Sequence, residues 1–161
     1  MNHLNEQGWS DAIRQFIVAG RPFLGVCLGM QLLFECSQED APGPGQAVPG
    51  LAVLPGTIVR FEGDAYSSHG LKVPHMGWNC IEWHRQDPLL QGLSQQVYVY
   101  FVHSYHAVVP ADDGESIISA RSDYGGPFCA TVWRENLWGT QFHPEKSQRA
   151  GLRMLANFTA I

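Results

Sequence analysis

Two glycines bracket Cys27 in Gly25-Val26-Cys27-Leu28-Gly29, and that spacing leaves the local backbone few choices. The pentapeptide follows an apolar run, Pro22-Phe23-Leu24, and leads into Met30-Gln31-Leu32-Leu33-Phe34-Glu35, which reads as a helix. The order is strand, sharp turn, helix. Glycines two residues before and two after the central residue let the chain reverse tightly and let neighbouring segments approach, as in the elbow that presents a nucleophile in hydrolases. Such a turn sets the thiol at a helix N-terminus, whose unpaired N–H groups favour the thiolate. The alternative at this point is a buried, inert cysteine at a strand-to-helix junction.

The chain has 161 residues, 45% of them apolar and 16% charged, which fits a single domain (1–161) with a substantial core rather than a disordered segment. A formal net charge of -5 with no Lys/Arg cluster argues against nucleic acid or an anionic membrane surface as a partner. Every apolar run stops well short of a membrane span, and residues 2–7 are too polar for a signal peptide. Cys27, Cys36, Cys80 and Cys129 lack framework spacing and read as free thiols of a cytoplasmic protein.

Ala12, Ile13, Phe16 and Ile17 share one face of a helix expected over 11–19, stopped by Gly20 and Pro22. The elbow follows, then a helix expected from Gly29 to about Cys36. Residues 41–45, Ala-Pro-Gly-Pro-Gly, are a loop. Short strands are expected from Leu51 onward: 51–54 and 57–61 on either side of Pro55-Gly56, 97–102, and 116–120. Segments 128–133 and 137–142, separated by Arg134-Glu135-Asn136, read as a hairpin. Leu152, Leu155 and Phe158 mark a closing amphipathic helix. These elements predict an α/β fold, a mixed sheet flanked by helices.

A thiol nucleophile needs a base, and the base an orienting partner. Among seven histidines (3, 69, 75, 84, 103, 106 and 143), His143 stands out, because it ends an expected strand and precedes Pro144-Glu145. Pro144 biases His143 towards an extended conformation, so the side chain of Glu145 can lie beside its imidazole. A surface turn is the plainer reading of His-Pro-Glu taken alone. His103 and His106 have a spacing that a metal could use, yet no third ligand is evident, so no metal site is expected.

Elbow and His-Pro-Glu turn together resemble the class I, triad-type glutamine amidotransferase family. The resemblance extends through Cys27-Leu28-Gly29-Met30-Gln31 and through Gly139-Thr140-Gln141-Phe142-His143-Pro144-Glu145. Segments 74–79 (Pro-His-Met-Gly-Trp-Asn), 100–105 (Tyr-Phe-Val-His-Ser-Tyr) and 144–147 (Pro-Glu-Lys-Ser) are similar to the branch formed by glutaminase subunits of imidazole glycerol phosphate synthases. The resemblance implies a flavodoxin-like α/β fold and no cofactor. It implies that Cys27, His143 and Glu145 are catalytic, and that glutamine is split to glutamate and ammonia through a thioester. Ammonia would pass by a channel to a (β/α)8-barrel cyclase in a heterodimer of histidine biosynthesis. By family position, Gln31 and Glu39 would hold the polar ends of glutamine, Ser104 and Tyr105 would contact it through their backbone, and the Leu28 N–H would be an oxyanion donor. Trp78, Tyr100 and Lys146 would lie near the cyclase.

The family pattern also has a further N-terminal segment, with the first strands of the sheet and a Pro-Gly-rich strand that completes the oxyanion hole; Met1-Asn2-His3-Leu4 falls about where that strand ends. The resemblance therefore implies little glutaminase activity for these 161 residues alone. Three alternatives stay open: the glutaminase of another synthase, a non-catalytic binding module derived from a glutaminase, and a cysteine hydrolase acting on γ-glutamyl peptides.

Overall fold

The computed structural model describes residues 1–63, 66 and 70–161; His69 lies outside the described residues. Helices α1 (Asn2–Glu6) and α2 (Trp9–Val18) open the chain. They lead to β1 (Phe23–Val26), the one-turn α3 (Leu28–Gln31), β2 (Phe34–Ser37), β3 (Val48–Pro49) and β4 (Leu54–Arg60). Next come the long hairpin β5 (His75–Trp83) and β6 (Gln96–His103), then β7 (Tyr105–Val108) and α4 (Ala111–Ile117). β8 (Ile118–Asp123), β9 (Pro127–Arg134), β10 (Leu137–Thr140) and α5 (Gln148–Thr159) complete the chain.

Two sheets form. One has six strands in the order β1-β10-β9-β8-β5-β6, and the other four in the order β3-β2-β4-β7. β1 runs parallel to β10, and β2 parallel to β4; their other neighbours pair antiparallel. Strand alternation, shifted by the register irregularity of β8 against β9 around Ala120 and Thr131, sorts residues to the two faces of the larger sheet. Leu137, Val132 and Cys129 face one core with Met30, Leu33, Phe34 and Ile58, beneath α2 and the smaller sheet. Trp138, Ala130 and Phe128 face the other with Phe101, Phe142 and Met154, beneath α5. The mixed α/β architecture is the expected one.

Three local expectations are corrected. The helix after the elbow ends at Gln31, and residues 34–37 form β2, because Phe34 and Cys36 pair with Leu54 and Thr57 of β4. Pro55-Gly56 does not interrupt a strand: β4 runs through it, and Gly56 (φ 121°) lets the chain pass close to the Val108 carbonyl, where a Cβ would lie 2.5 Å from the oxygen. Of the strand expected over 116–120, residues 116–117 belong instead to α4, and the strand begins at Ile118. The hairpin at 134–136 and the closing helix are as expected, although Leu152 points to solvent and Gly151 and Met154 are the residues buried in α5.

Candidate active site

β1 ends at Val26, and Cys27 adopts φ 50° and ψ −109°. A left-handed φ in a non-glycine residue costs about 1–3 kcal/mol and marks a backbone held by its surroundings. Here the holders are identifiable. The Cys27 N–H donates to Thr140 O at 2.7 Å, and the Cys27 carbonyl accepts from Met30 and Gln31 at 3.0 and 3.1 Å. Gly25 permits the tight turn, since a Cβ there would lie 2.6 Å from Gly29 O. Gly29 does not share that role: a Cβ on it would meet nothing within 4 Å. Gly139 supplies the second close approach, with its missing Cβ replaced by Met30 Cγ packed 2.7 Å from where it would be.

The His-Pro-Glu turn lies along the same strand edge as the thiol. His143 N–H donates to Tyr100 O at 2.9 Å, and the Cys27 thiol is directed at Val102 O, 3.9 Å away. Carbonyls two residues apart on a strand share an edge and lie roughly 7 Å from one another. Elbow and turn are thus neighbours on the outer edge of β6. His143 is extended (φ −98°, ψ 100°), as Pro144 requires, and its Nδ1 donates to Glu145 Oε1 at 2.7 Å. A carboxylate can only accept, so Nδ1 carries a proton, and in the neutral imidazole Nε2 is the acceptor. Among the described residues no hydrogen bond joins that imidazole to Sγ.

The Cys27 thiol instead accepts from Gln141 Nε2 at 3.8 Å. Burial pushes its pKa up, outweighing the Leu28 N–H and Gln141, which pull it down; the carboxylates of Glu145 and Glu39 push it further up. The expectation of a favoured thiolate is therefore corrected. Helix α3 has four residues, too few for an appreciable dipole, and desolvation prevails.

A cleft of about 680 Å³ opens beside the elbow, lined by Leu28, Gln31 and Glu39 together with Met1 and Leu4. Gln31 is buried, and its amide donates to Tyr105 O at 2.9 Å and to Gln141 Oε1 at 3.1 Å, which leaves its own Oε1 as the atom available to a ligand. Glu39 is half-buried, with its pKa raised by desolvation and by Asp40. The Ser104 and Tyr105 carbonyls already serve Phe61 N–H and Gln31. Tyr105 O also accepts from His103 Nδ1 at 2.8 Å, and His103 Nε2 faces His75 Nδ1 at 3.0 Å. Both nitrogens of His103 are thereby engaged, with none left for an ion.

Trp78 and Tyr100 lie opposite each other on β5 and β6, with rings edge to face at 6.1 Å. Trp78 is 46% exposed and is flanked by exposed Met76 and Tyr98. Lys146 is exposed. Sequence reasoning missed Gln141, His75 and Ser147. Ser147 Oγ accepts from Tyr100 N–H at 2.9 Å and donates to His143 O at 2.7 Å, fastening the His143 turn to β6. A signal existed for Gln141 alone, a polar side chain inside a strongly apolar stretch.

A family model described as "Glutamine amidotransferase class-I" matches residues 4–161. The chain is 52% identical over 159 residues to the "Imidazole glycerol phosphate synthase subunit HisH" of Syntrophotalea carbinolica, covering 98% of this chain and 73% of that protein. It is 46% identical over 161 residues to the subunit of the same name from Geobacillus thermodenitrificans, covering 100% of this chain and 71% of that protein. Its fold is similar to that of a glutamine amidotransferase from Thermotoga maritima (TM-score 0.58, 17% identity, 96% of this chain and 54% of that one). A second solved glutamine amidotransferase gives a TM-score of 0.61 at 20% identity, over 97% of this chain and 71% of that one. The chain belongs to the class-I glutamine amidotransferase family.

Proposed function

We propose that this chain is the glutaminase part of an imidazole glycerol phosphate synthase, and that it delivers ammonia to a (β/α)8-barrel cyclase partner in histidine biosynthesis. The reading rests on the 52% identity to a subunit of that name and on one geometric observation, the His143–Glu145 pair on the same edge of β6 as the elbow thiol. Glutamine lies in the cleft beside Leu28, with its α-ammonium group on Gln31 Oε1 and Glu39. His143 Nε2 takes the thiol proton as Sγ attacks the amide carbon, and Glu145 stabilises the imidazolium. The tetrahedral oxyanion is met by the Leu28 N–H. His143 then protonates the leaving nitrogen, the C–N bond breaks, and ammonia departs to leave a γ-glutamyl thioester. Water, deprotonated by His143, hydrolyses the thioester to glutamate and restores the thiol.

Two features of the resting site make partner-dependent activity the expected behaviour: a thiol whose pKa is raised by burial, and an imidazole not hydrogen-bonded to it. The exposed face around Trp78 and Tyr100 is the proposed cyclase contact, because exposed aromatics are enriched at such interfaces. The test is ammonia release from glutamine with and without a purified cyclase subunit. Stimulation by the cyclase, abolished in Cys27→Ser and His143→Ala, supports the reading. Copurification with a different synthase would replace it, and absence of any Cys27-dependent glutamine turnover in the complex would refute it.

A further inference from the structure

A chain of hydrogen bonds, buried at its His75–His103 and Gln31–Gln141 links and part-buried or exposed elsewhere, runs from the nucleophile to β5 and Asp123, and the proposed triad chemistry leaves most of it without a task. Its polarity follows from the atoms. Tyr105 O can only accept, so His103 Nδ1 is the donor there, at 2.8 Å. A neutral imidazole has one N–H, so His103 Nε2 accepts, and His75 Nδ1 donates to it at 3.0 Å. His75 Nε2 then accepts from Asn79 Nδ2 at 3.3 Å, whose other hydrogen goes to Asp123 O at 2.8 Å. At the opposite end, Tyr105 O and Gln141 Oε1 share the two amide hydrogens of Gln31, and Gln141 Nε2 points at Sγ.

Each member fixes the next. With Tyr105 O held, Gln31 cannot turn its amide over; with Gln31 held, Gln141 must present oxygen to Gln31 and nitrogen to sulfur. Were Gln141 reversed, its oxygen would face the thiol and the N–H that steadies the thiolate would be lost. His75 and His103 are 4% and 6% exposed, so water does not stand in for a missing partner. Burial also keeps both rings neutral, the state in which the donor order is unique.

We infer that His103, locked in one tautomer by His75, is a positioning residue for the Cys27 thiol, acting through Tyr105 O, Gln31 and Gln141. The inference rests on the glutaminase reading for its biological purpose, whereas its test reads the thiol itself. Asparagine places an amide nitrogen where Nδ1 was, and glutamine, with its amide oxygen where Nε2 was, still accepts from His75. In the full chain, His103→Asn keeps the donor to Tyr105 O and loses the bond to His75. His103→Gln does the reverse.

Alkylation of Cys27 by iodoacetamide, followed by peptide mass spectrometry at one fixed pH, should proceed within about twofold of the parent rate in His103→Asn and roughly tenfold more slowly in His103→Gln. A purely structural role predicts that both slow together with their loss in thermal midpoint. That result, or a His103→Gln that alkylates like the parent, overturns the inference. If His103→Gln does not fold, His75→Asn (donor kept) and His75→Gln (donor lost) decide by the same order. Glutaminase assays of the same variants with cyclase separate the two claims: no turnover in any of them, with the alkylation order intact, sinks the glutaminase reading and leaves the positioning role standing.

Discussion

Mild acid should unfold this protein earlier than its carboxylates would require. Burial lowers the pKa of His75 to about 4 and that of His103 to about 3, from an ordinary 6.5. Below pH 6.5 the unfolded chain therefore binds protons that the folded chain refuses. Stability is complete above that value and falls as the pH drops towards the folded-state values. As the pH falls from about 7.5 to about 5, the proton deficit at each histidine grows from near zero to close to one, worth about 2 kcal/mol in all, so the pair removes about 4 kcal/mol. His106, whose pKa is also lowered by burial, acts in the same direction. Against a typical total of about 5–15 kcal/mol this is a large fraction, and ordinary carboxylates titrate mostly below the window. Urea titrations followed by tryptophan fluorescence across that range measure it directly. His103→Asn removes one titrating imidazole and should flatten the slope by up to about 1.4 kcal/mol per pH unit. A stability that changes by less than about 1 kcal/mol across the window, or a variant with the parent slope, would refute the neutral buried pair.

Diazo-oxo-norleucine should label Cys27 and spare Cys129, which is buried with its pKa pushed up to about 12; mass spectrometry showing equal labelling would contradict a live elbow. Gly151→Ala would put a Cβ 1.8 Å from Pro144 O, forcing α5 off the turn that carries His143; a loss of about 1–3 kcal/mol in chemical denaturation is expected. Trp78→Ala should weaken cyclase binding by about 1–3 kcal/mol in calorimetry and leave the thermal midpoint of the free chain nearly unchanged, because the ring is 46% exposed.

The elbow, the 134–136 hairpin and the closing helix were legible because each is written in local chemistry, a glycine spacing, a turn triplet or a repeat of apolar residues. Phe34-Glu35-Cys36-Ser37 was not, because the apolar run reads as helix and only pairing with β4, some twenty residues on, makes it strand. α4 was hidden by Gly114, a poor helix former within seven residues. Within the site, His143 and Glu145 were readable two residues apart, and their bond follows from Pro144. The His75–His103 pair was not: the two rings meet through cross-strand register, with no short-range signal. The favoured thiolate failed for a related reason, since burial is a property of the assembled fold rather than of the pentapeptide.

Ser147 carries a last consequence. One hydroxyl receives the amide of Tyr100 and gives its own hydrogen to the carbonyl of His143, so the seat of the proposed general base is riveted to the ribbon that bears the exposed aromatics. In the proposed complex, a cyclase bearing on that ribbon meets no intervening loop between it and the turn that carries the imidazole. On the proposed reading, a cyclase seated on Trp78 acts on the spacing of Nε2 and the sulfur through this one hydroxyl.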